Sequence, residues 1–317
     1  MKENELNAAA KKTAGSGVRS RTQILYLKRN SLDDGPGIRT TVFLKGCPLD
    51  CVWCHNPESK SAKAELSFDP EKCIGCRTCI YACKRKAIDR NNIDYLDRSK
   101  CNLCFKCTLE CPSQAMTRVG EPMEIAEIKA VIKRDIPFYK TSGGGVTLSG
   151  GEPTMHMSFC AELLRECKAL GVHTMLETCG QFDLSRFRAE VYPLLDAVYF
   201  DIKLIDSESH KKYCGVDNKK ILDNFRRLCE AARSGGAPVL PRVPLVPGIT
   251  DTDANLSLIA AFLRGCGAES VALLPYNPTW LKKPAMLGKK RAYDEPKWMS
   301  ESEIARCRAH FDGFEIK

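Results

Sequence analysis

Eleven of the chain's eighteen cysteines fall between positions 47 and 111, in short and regular spacings. Three form a Cys-x3-Cys-x2-Cys run at Cys47, Cys51 and Cys54. Eight follow as two quartets, Cys73-x2-Cys76-x2-Cys79-x3-Cys83 and Cys101-x2-Cys104-x2-Cys107-x3-Cys111. The quartets sit in an internal repeat: Lys72 through Ile88 matches Lys100 through Met116 at a period of 28 residues. A segment as small as residues 60–118 cannot bury much of a core, so metal held by thiolates must bind it together.

Disulfides are the other use for so many cysteines. The N-terminal stretch is polar, without the apolar core of a secretory signal. No apolar run approaches the roughly 20 residues of a membrane span. The chain is therefore read as cytoplasmic, where reducing conditions disfavour disulfides. The seven remaining cysteines (Cys160, Cys167, Cys179, Cys214, Cys229, Cys266, Cys307) are scattered and read as small buried apolar residues. The formal charge is +9, gathered in the N-terminal stretch and around Lys282, Lys283, Lys289, Lys290 and Arg291. It reads as solvated surface or a docking face for an acidic protein rather than a nucleic-acid site.

Residues 1–22 read as a flexible tail. Past residue 23 the pattern alternates. Strands are expected at residues 23–27, 40–44, 146–148, 172–177, 197–202, 239–243 and 270–274. Helices are expected at 122–135, 158–170, 183–192, 217–232, 253–264 and 300–310. Strand–helix alternation means a parallel sheet with right-handed crossovers. The six units make an α/β fold, a partial (β/α)6 TIM-type barrel, two units short of closure. The expected organisation is a tail (1–22), a first barrel piece with the cysteine loop (23–59), the insert (60–118) and the rest of the barrel (119–317).

The Cys47, Cys51, Cys54 loop directly follows a strand. Three thiolates can hold three irons of a [4Fe–4S] cluster and leave the fourth open to a small molecule. Zinc with His55 as fourth ligand is the competing use of these residues. The spacing is that of the radical S-adenosylmethionine (SAM) superfamily. Asp34-Gly35-Pro36-Gly37-Ile38-Arg39, Gly46-Cys47 and Cys54-His55-Asn56-Pro57-Glu58 resemble, more closely, the activating enzymes of glycyl radical enzymes. That resemblance implies a cluster that binds the amino and carboxylate groups of SAM, and one-electron cleavage to methionine and a 5′-deoxyadenosyl radical. It implies removal of a Cα hydrogen from a glycine of the partner enzyme. It places Trp53 and His55 beside the cofactor, and Asp34 near the partner's glycine loop; a plain Pro-Gly turn is the alternative for Asp34.

The two quartets, with Pro112 after the last cysteine, match the two-cluster bacterial ferredoxin signature. The fourth cysteine of each run is expected to cross over. One cluster then takes Cys73, Cys76, Cys79 and Cys111, and the other Cys101, Cys104, Cys107 and Cys83, for three [4Fe–4S] clusters in all. Lys84 stands where proline often follows. The insert relays electrons or serves as a scaffold.

Barrel chemistry gathers at the C-terminal ends of strands. Ser149-Gly150-Gly151-Glu152 resembles the family's GGE motif, whose carboxylate pairs with the SAM ammonium. Glu177-Thr178 and Asp201-Ile202-Lys203-Leu204 end the next strands. The resemblance gives them SAM and, at Glu177, Thr178 and Asp201, a monovalent cation; salt bridges at the rim are the alternative. Arg242 ends the fifth strand, facing the SAM carboxylate or bracing the loop. Asn277 ends the sixth, where several relatives carry histidine. The expected partners are a glycyl radical enzyme and a flavodoxin or ferredoxin as electron donor, around a monomeric activase. The rival readings are a radical SAM enzyme that modifies a peptide or small molecule directly, and an electron-transfer subunit.

Overall fold

The computed structural model describes residues 22–92 and 95–317. The expected tail lies outside them, except for Thr22, which starts a strand.

The chain opens with an antiparallel pair, β1 (Thr22–Ser31) and β2 (Arg39–Leu44). The insert follows: β3 (Glu65–Phe68), α1 (Thr78–Ala82), α2 (Lys106–Leu109) and β4 (Met116–Val119). Then come β5 (Glu121–Met123), α3 (Ile125–Ser142), β6 (Gly145–Gly150), α4 (Met157–Ala169), β7 (His173–Thr178), α5 (Leu184–Glu190) and β8 (Ala197–Asp201). The chain continues with α6 (Ser207–Cys214), α7 (Lys219–Arg233), β9 (Val239–Leu245), α8 (Asp253–Gly265) and β10 (Ser270–Pro275). It closes with α9 (Lys283–Met286), α10 (Glu301–Ala309) and β11 (Glu315–Ile316).

Six strands run parallel in the order β2-β6-β7-β8-β9-β10. β1 and β5 extend one edge and β11 the other, and the two edges do not meet. This is the mostly parallel α/β sheet expected of a partial barrel. Alternate residues (Val42, Leu44, Val146, Leu148, Leu176, Val198, Phe200, Val243) are apolar and join one core with Ile128, Leu164, Phe225 and Ile259 of the helices. Strands covered on both faces normally read as continuous apolar runs. Here the opposite face carries Arg39, Thr41, Thr147, Ser149 and Glu177, all buried. A polar face buried at that cost needs partners for every group, and this face holds the candidate site.

Several elements depart from the sequence expectation. The helix expected at 122–135 is a short strand followed by α3. Pro122 sits on edge strand β5, paired with Gln23 of β1, where a missing donor is tolerated. Glu124 and Glu127 form a capping box that starts α3, and the helix runs through Pro137 to a left-handed Gly143. The segment 207–214 is a helix capped by Asp206 that its polar sequence did not announce. β9 continues past Val243 to Leu245 because Pro244 and Leu245 pair with Leu274 and Pro275 of β10.

The insert is bracketed by β3 and β4, which pair antiparallel and bring residue 65 opposite residue 119. It has its own cluster of buried residues, including Leu66, Ile88, Leu96 and Met116. The sequence repeat is also a backbone repeat. Left-handed residues occur at Gly75, Arg77 and Lys86, and again 28 positions later at Leu103, Phe105 and Gln114.

Candidate active site at the strand ends

The interior is floored by the turn between β1 and β2. Gly35 takes φ +127°, and a Cβ there would meet the Met175 sulfur and Arg39. Arg39, wholly buried, holds the turn: it donates to Thr147 Oγ1 (2.6 Å), the Val146 carbonyl (2.7 Å) and the Pro36 carbonyl (3.2 Å). The Asp34 carboxylate accepts from Ser31 (2.5 Å) and Thr41 (2.8 Å). The Asp-Gly-Pro-Gly-Ile-Arg run is thus a plug whose arginine and aspartate are both spent inside the chain.

The three-cysteine loop leaves the C-terminal end of β2. Backbone bonds anchor it on two sides: Asp50 N and Val52 N donate to the carbonyls of Cys214 (2.8 Å) and Tyr213 (3.0 Å), and Cys47 N donates to Lys60 (3.0 Å). Burial pushes the Cys54 thiol up to about 12, with repulsion from Cys51 and Cys47 adding to it. A contact with Cys214 lowers the Cys51 thiol, and burial with a contact to Cys47 raises Cys179. The loop sulfurs therefore neighbour one another and two cysteines outside the loop. Trp53 is buried in the core. His55 lies against Tyr276 and Trp280, at ring-centroid distances of 6.0 and 6.3 Å, and burial drops its imidazole to about 4.

The Ser149–Glu152 turn packs against this loop. Gly151 N donates to the Leu44 carbonyl (2.9 Å) and Glu152 N to that of Gly46 (2.7 Å). A Cβ on Gly150 or Gly151 would run into those same backbones. The Glu152 carboxylate is wholly buried. It accepts from Thr154 N (3.1 Å), Thr154 Oγ1 (2.7 Å), Thr178 Oγ1 (2.9 Å) and Cys179 N (2.7 Å). Here the glycines serve the approach of two backbones, and Glu152 staples the β6 turn to the end of β7.

Beyond it lies a four-membered ion network. Arg242 donates to Asp201 (2.9 Å) and Glu177 (2.5 Å), Lys203 to Asp201 (3.0 Å), and Ser149 to Glu177 (2.6 Å). Burial raises the Glu177 carboxyl, opposed by Arg242. Burial also works against ionised Asp201, but Arg242 and Lys203 outweigh it and hold that carboxyl low. Lys203 stays charged against its burial, through Asp201 and the thiols of Cys51, Cys179 and Cys214. Arg242 stands opposite Asp201 within β9, three residues before the strand's end at Leu245 rather than at the end itself. Ile202 and Leu204 are buried beside it. Asn277 is turned to its own loop, accepting from Thr279 Oγ1 (2.5 Å).

Two contributors were invisible in the sequence. Lys283, part of a basic run, donates to the His55 carbonyl (2.9 Å) and pairs with Glu58 (2.8 Å). Trp280 is buried and stacks on His55 from beside Tyr276. Their only sequence signal is distance past β10, which does not say where the segment returns.

In the insert, one cavity is lined by Cys83, Cys101, Cys104 and Cys107 together. Burial, with repulsion from Cys101, Cys83 and Cys104, raises the Cys107 thiol to about 12. Burial also raises Cys79, whose cysteine neighbours are Cys111 and Cys73. Cys76 is exposed, 3.3 Å from Thr78 Oγ1, and Cys79 lies 3.5 Å from the Tyr95 hydroxyl. Each fourth cysteine thus stands with the other quartet.

Residues 41–257 match the Radical SAM superfamily. The isethionate sulfite-lyase activating enzyme of Desulfovibrio desulfuricans is 40% identical, over 84% of this chain and 86% of its own length. The trans-4-hydroxy-L-proline dehydratase activating enzyme of Clostridioides difficile is 37% identical, over 91% and 95%. The benzylsuccinate synthase activating enzyme of Thauera aromatica is 35% identical, over 85% and 83%. Among solved structures, a radical SAM methyltransferase from Sphaerobacter thermophilus aligns with TM-score 0.50 over 94% of this chain and 76% of that one, at 14% identity, a likeness of fold.

Proposed function

This chain belongs to the radical SAM superfamily, among the activating enzymes of glycyl radical enzymes, and we propose that its eleven clustered cysteines hold three [4Fe–4S] clusters serving one radical-generating site. As a member of that family it cleaves SAM and generates a glycyl radical on a partner enzyme, which requires one [4Fe–4S] cluster and SAM.

Cys47, Cys51 and Cys54 are our ligands for the SAM-binding cluster. Bound there, cluster and SAM together supply the hydrogen-abstracting chemistry. The observation that carries this reading is the placement of the loop. Three neighbouring sulfurs leave the end of the first parallel strand, above an interior where Arg39, Glu152, Glu177, Asp201 and Arg242 are all paired. Such a site positions a substrate and keeps water out. The chain needs no conventional acid–base pair for this.

The remaining residues take supporting roles. Lys203 and Arg242 hold positive charge at the rim, suited to a carboxylate. With both Glu152 oxygens engaged, we assign the SAM ammonium to backbone carbonyls of the Ser149–Glu152 turn rather than to that side chain. Both oxygens of Glu177 and of Asp201 already accept from Ser149, Arg242 or Lys203. This set does not fit a monovalent cation at Glu177, Thr178 and Asp201; the two basic side chains supply that charge. His55, against Tyr276 and Trp280, borders the cofactor with Trp53 behind it.

We read residues 60–118 as an inserted ferredoxin-like unit within a barrel formed by 23–59 and 119–317. The cavity lined by Cys83, Cys101, Cys104 and Cys107 and the pairing of Cys79 with Cys111 support two further clusters with crossed ligation. We take the activase to be a cytoplasmic monomer fed by a flavodoxin or ferredoxin. Among the described residues no helix is long and apolar enough to cross a membrane.

The test is anaerobic reconstitution of the full chain and of a Cys47→Ala/Cys51→Ala/Cys54→Ala variant. The full chain should hold about twelve irons, the variant about eight, and only the full chain should release methionine from SAM on reduction. SAM cleavage by the variant would refute the assignment.

A further inference from the structure

The insert exposes apolar surface that the fold does not use. Tyr81 on α1 and Leu109 on α2 are 81% and 82% exposed. They are equivalent positions of the 28-residue repeat, and both line one surface cleft with Thr78, Ala82, Lys106 and Glu110. The two sides of the cleft are joined where Thr78 Oγ1 donates to the Glu110 carbonyl (2.8 Å). Its walls are shared with the cysteine-lined cavity: Ala82 and Lys106 border both. Cys76, bonded to Thr78, and Cys104, two residues from Lys106, are the exposed members of their quartets.

Charge narrows the occupant. Arg77, Lys84, Arg85, Lys86 and Lys106 are all exposed, and none pairs with a carboxylate among the described residues. Glu110 is the only acid lining the cleft among those residues. A second copy of this chain would set these cations against their like. An apolar centre on a predominantly basic stretch of chain suits a transient, electrostatically steered protein contact, and redox encounters are small ones.

We propose that this face docks an acidic one-electron carrier protein and is the electron entry of the activase. The proposal rests on the reading of the insert as cluster-bearing. The carrier is oxidised by one electron and an insert cluster is reduced by one. No bond forms or breaks and no proton is required.

The experiment compares the wild-type holoenzyme with Tyr81→Ser/Leu109→Ser and Arg77→Glu/Arg85→Glu variants. Reduction of the clusters is followed by stopped-flow absorbance, with reduced flavodoxin or with dithionite as donor. The flavodoxin rate should fall about tenfold or more in both variants, as loss of steering and of an apolar anchor predicts. It should also fall with salt in the wild type. The dithionite rate, iron content and dithionite-driven radical yield on the partner should not change. An unchanged flavodoxin rate, or an equal loss with both reductants, overturns the proposal. So does loss of dithionite-driven partner activation, which would give the face to the glycyl radical enzyme. A wild-type content of about four irons overturns the reading beneath the proposal and the proposal with it, and is recognised before any variant is made.

Discussion

Arg242 serves two carboxylates at once, and no other cation among the described residues reaches Glu177. Replacing it by Met leaves two partly buried carboxylates short of a counter-charge, at a cost of about 3 kcal/mol. Urea unfolding of Arg242→Met against wild type checks this, and Arg242→Lys should recover part of the loss. Because basic side chains carry the charge at the rim, SAM affinity by calorimetry should be the same in potassium and in tetramethylammonium buffers. A strong potassium requirement would return the cation to Glu177 and Asp201. Of the two uses the sequence allows for Glu177, Asp201 and Lys203, the structure shows the rim salt bridges, with Arg242 joining both carboxylates. Arg242 is expected at the end of the fifth strand, facing the SAM carboxylate or bracing the loop; the strand runs on through Pro244 to Leu245, and Arg242 lies within it in register with Asp201. Lys283 was hidden because a basic run carries no period, and only the returning chain brings it to Glu58.

The elements of the insert are too short to stand alone. α1 has five residues and α2 four, far below what an isolated helix needs in water. Their cysteines must supply what their length does not. Removing iron under anaerobic conditions should therefore strip amide-exchange protection from residues 71–115 while the barrel strands keep theirs. Retention in both would make the thiol sets ornamental to the fold. The Tyr95 hydroxyl lies 3.5 Å from the Cys79 sulfur; with a cluster on Cys79 as proposed, Tyr95→Phe removes a hydrogen bond to sulfur and should lower that cluster's potential in an electrochemical titration. The repeat was legible because cysteine spacing has no slack. The barrel strands were legible because six apolar runs alternated with helical periods. α6 was not, since its eight residues are almost all polar and their helicity follows from a cap on Asp206 and from docking under the cysteine loop.

At the scale of the molecule, barrel and insert are tied by a returning segment. Lys282 pairs with Glu71 (2.6 Å), Lys289 with Glu65 (2.7 Å), and Arg98 donates to the Met286 carbonyl (3.1 Å), while Lys283 holds the cysteine loop. The buried Lys45, at the end of β2, reaches Glu65 from the other side (3.0 Å). Residues 65–98 are thereby held against the cysteine loop by the returning segment and by Lys45. The outcome of the chemistry is one transfer: a hydrogen atom leaves a glycine of a partner enzyme. The most direct measurement is electron paramagnetic resonance on the reduced, reconstituted chain mixed with SAM and a candidate partner glycyl radical enzyme. The account predicts a Cα-centred doublet on the partner, with 5′-deoxyadenosine formed in step. SAM consumed with no radical on the partner, or zinc found on Cys47, Cys51 and Cys54, would contradict it.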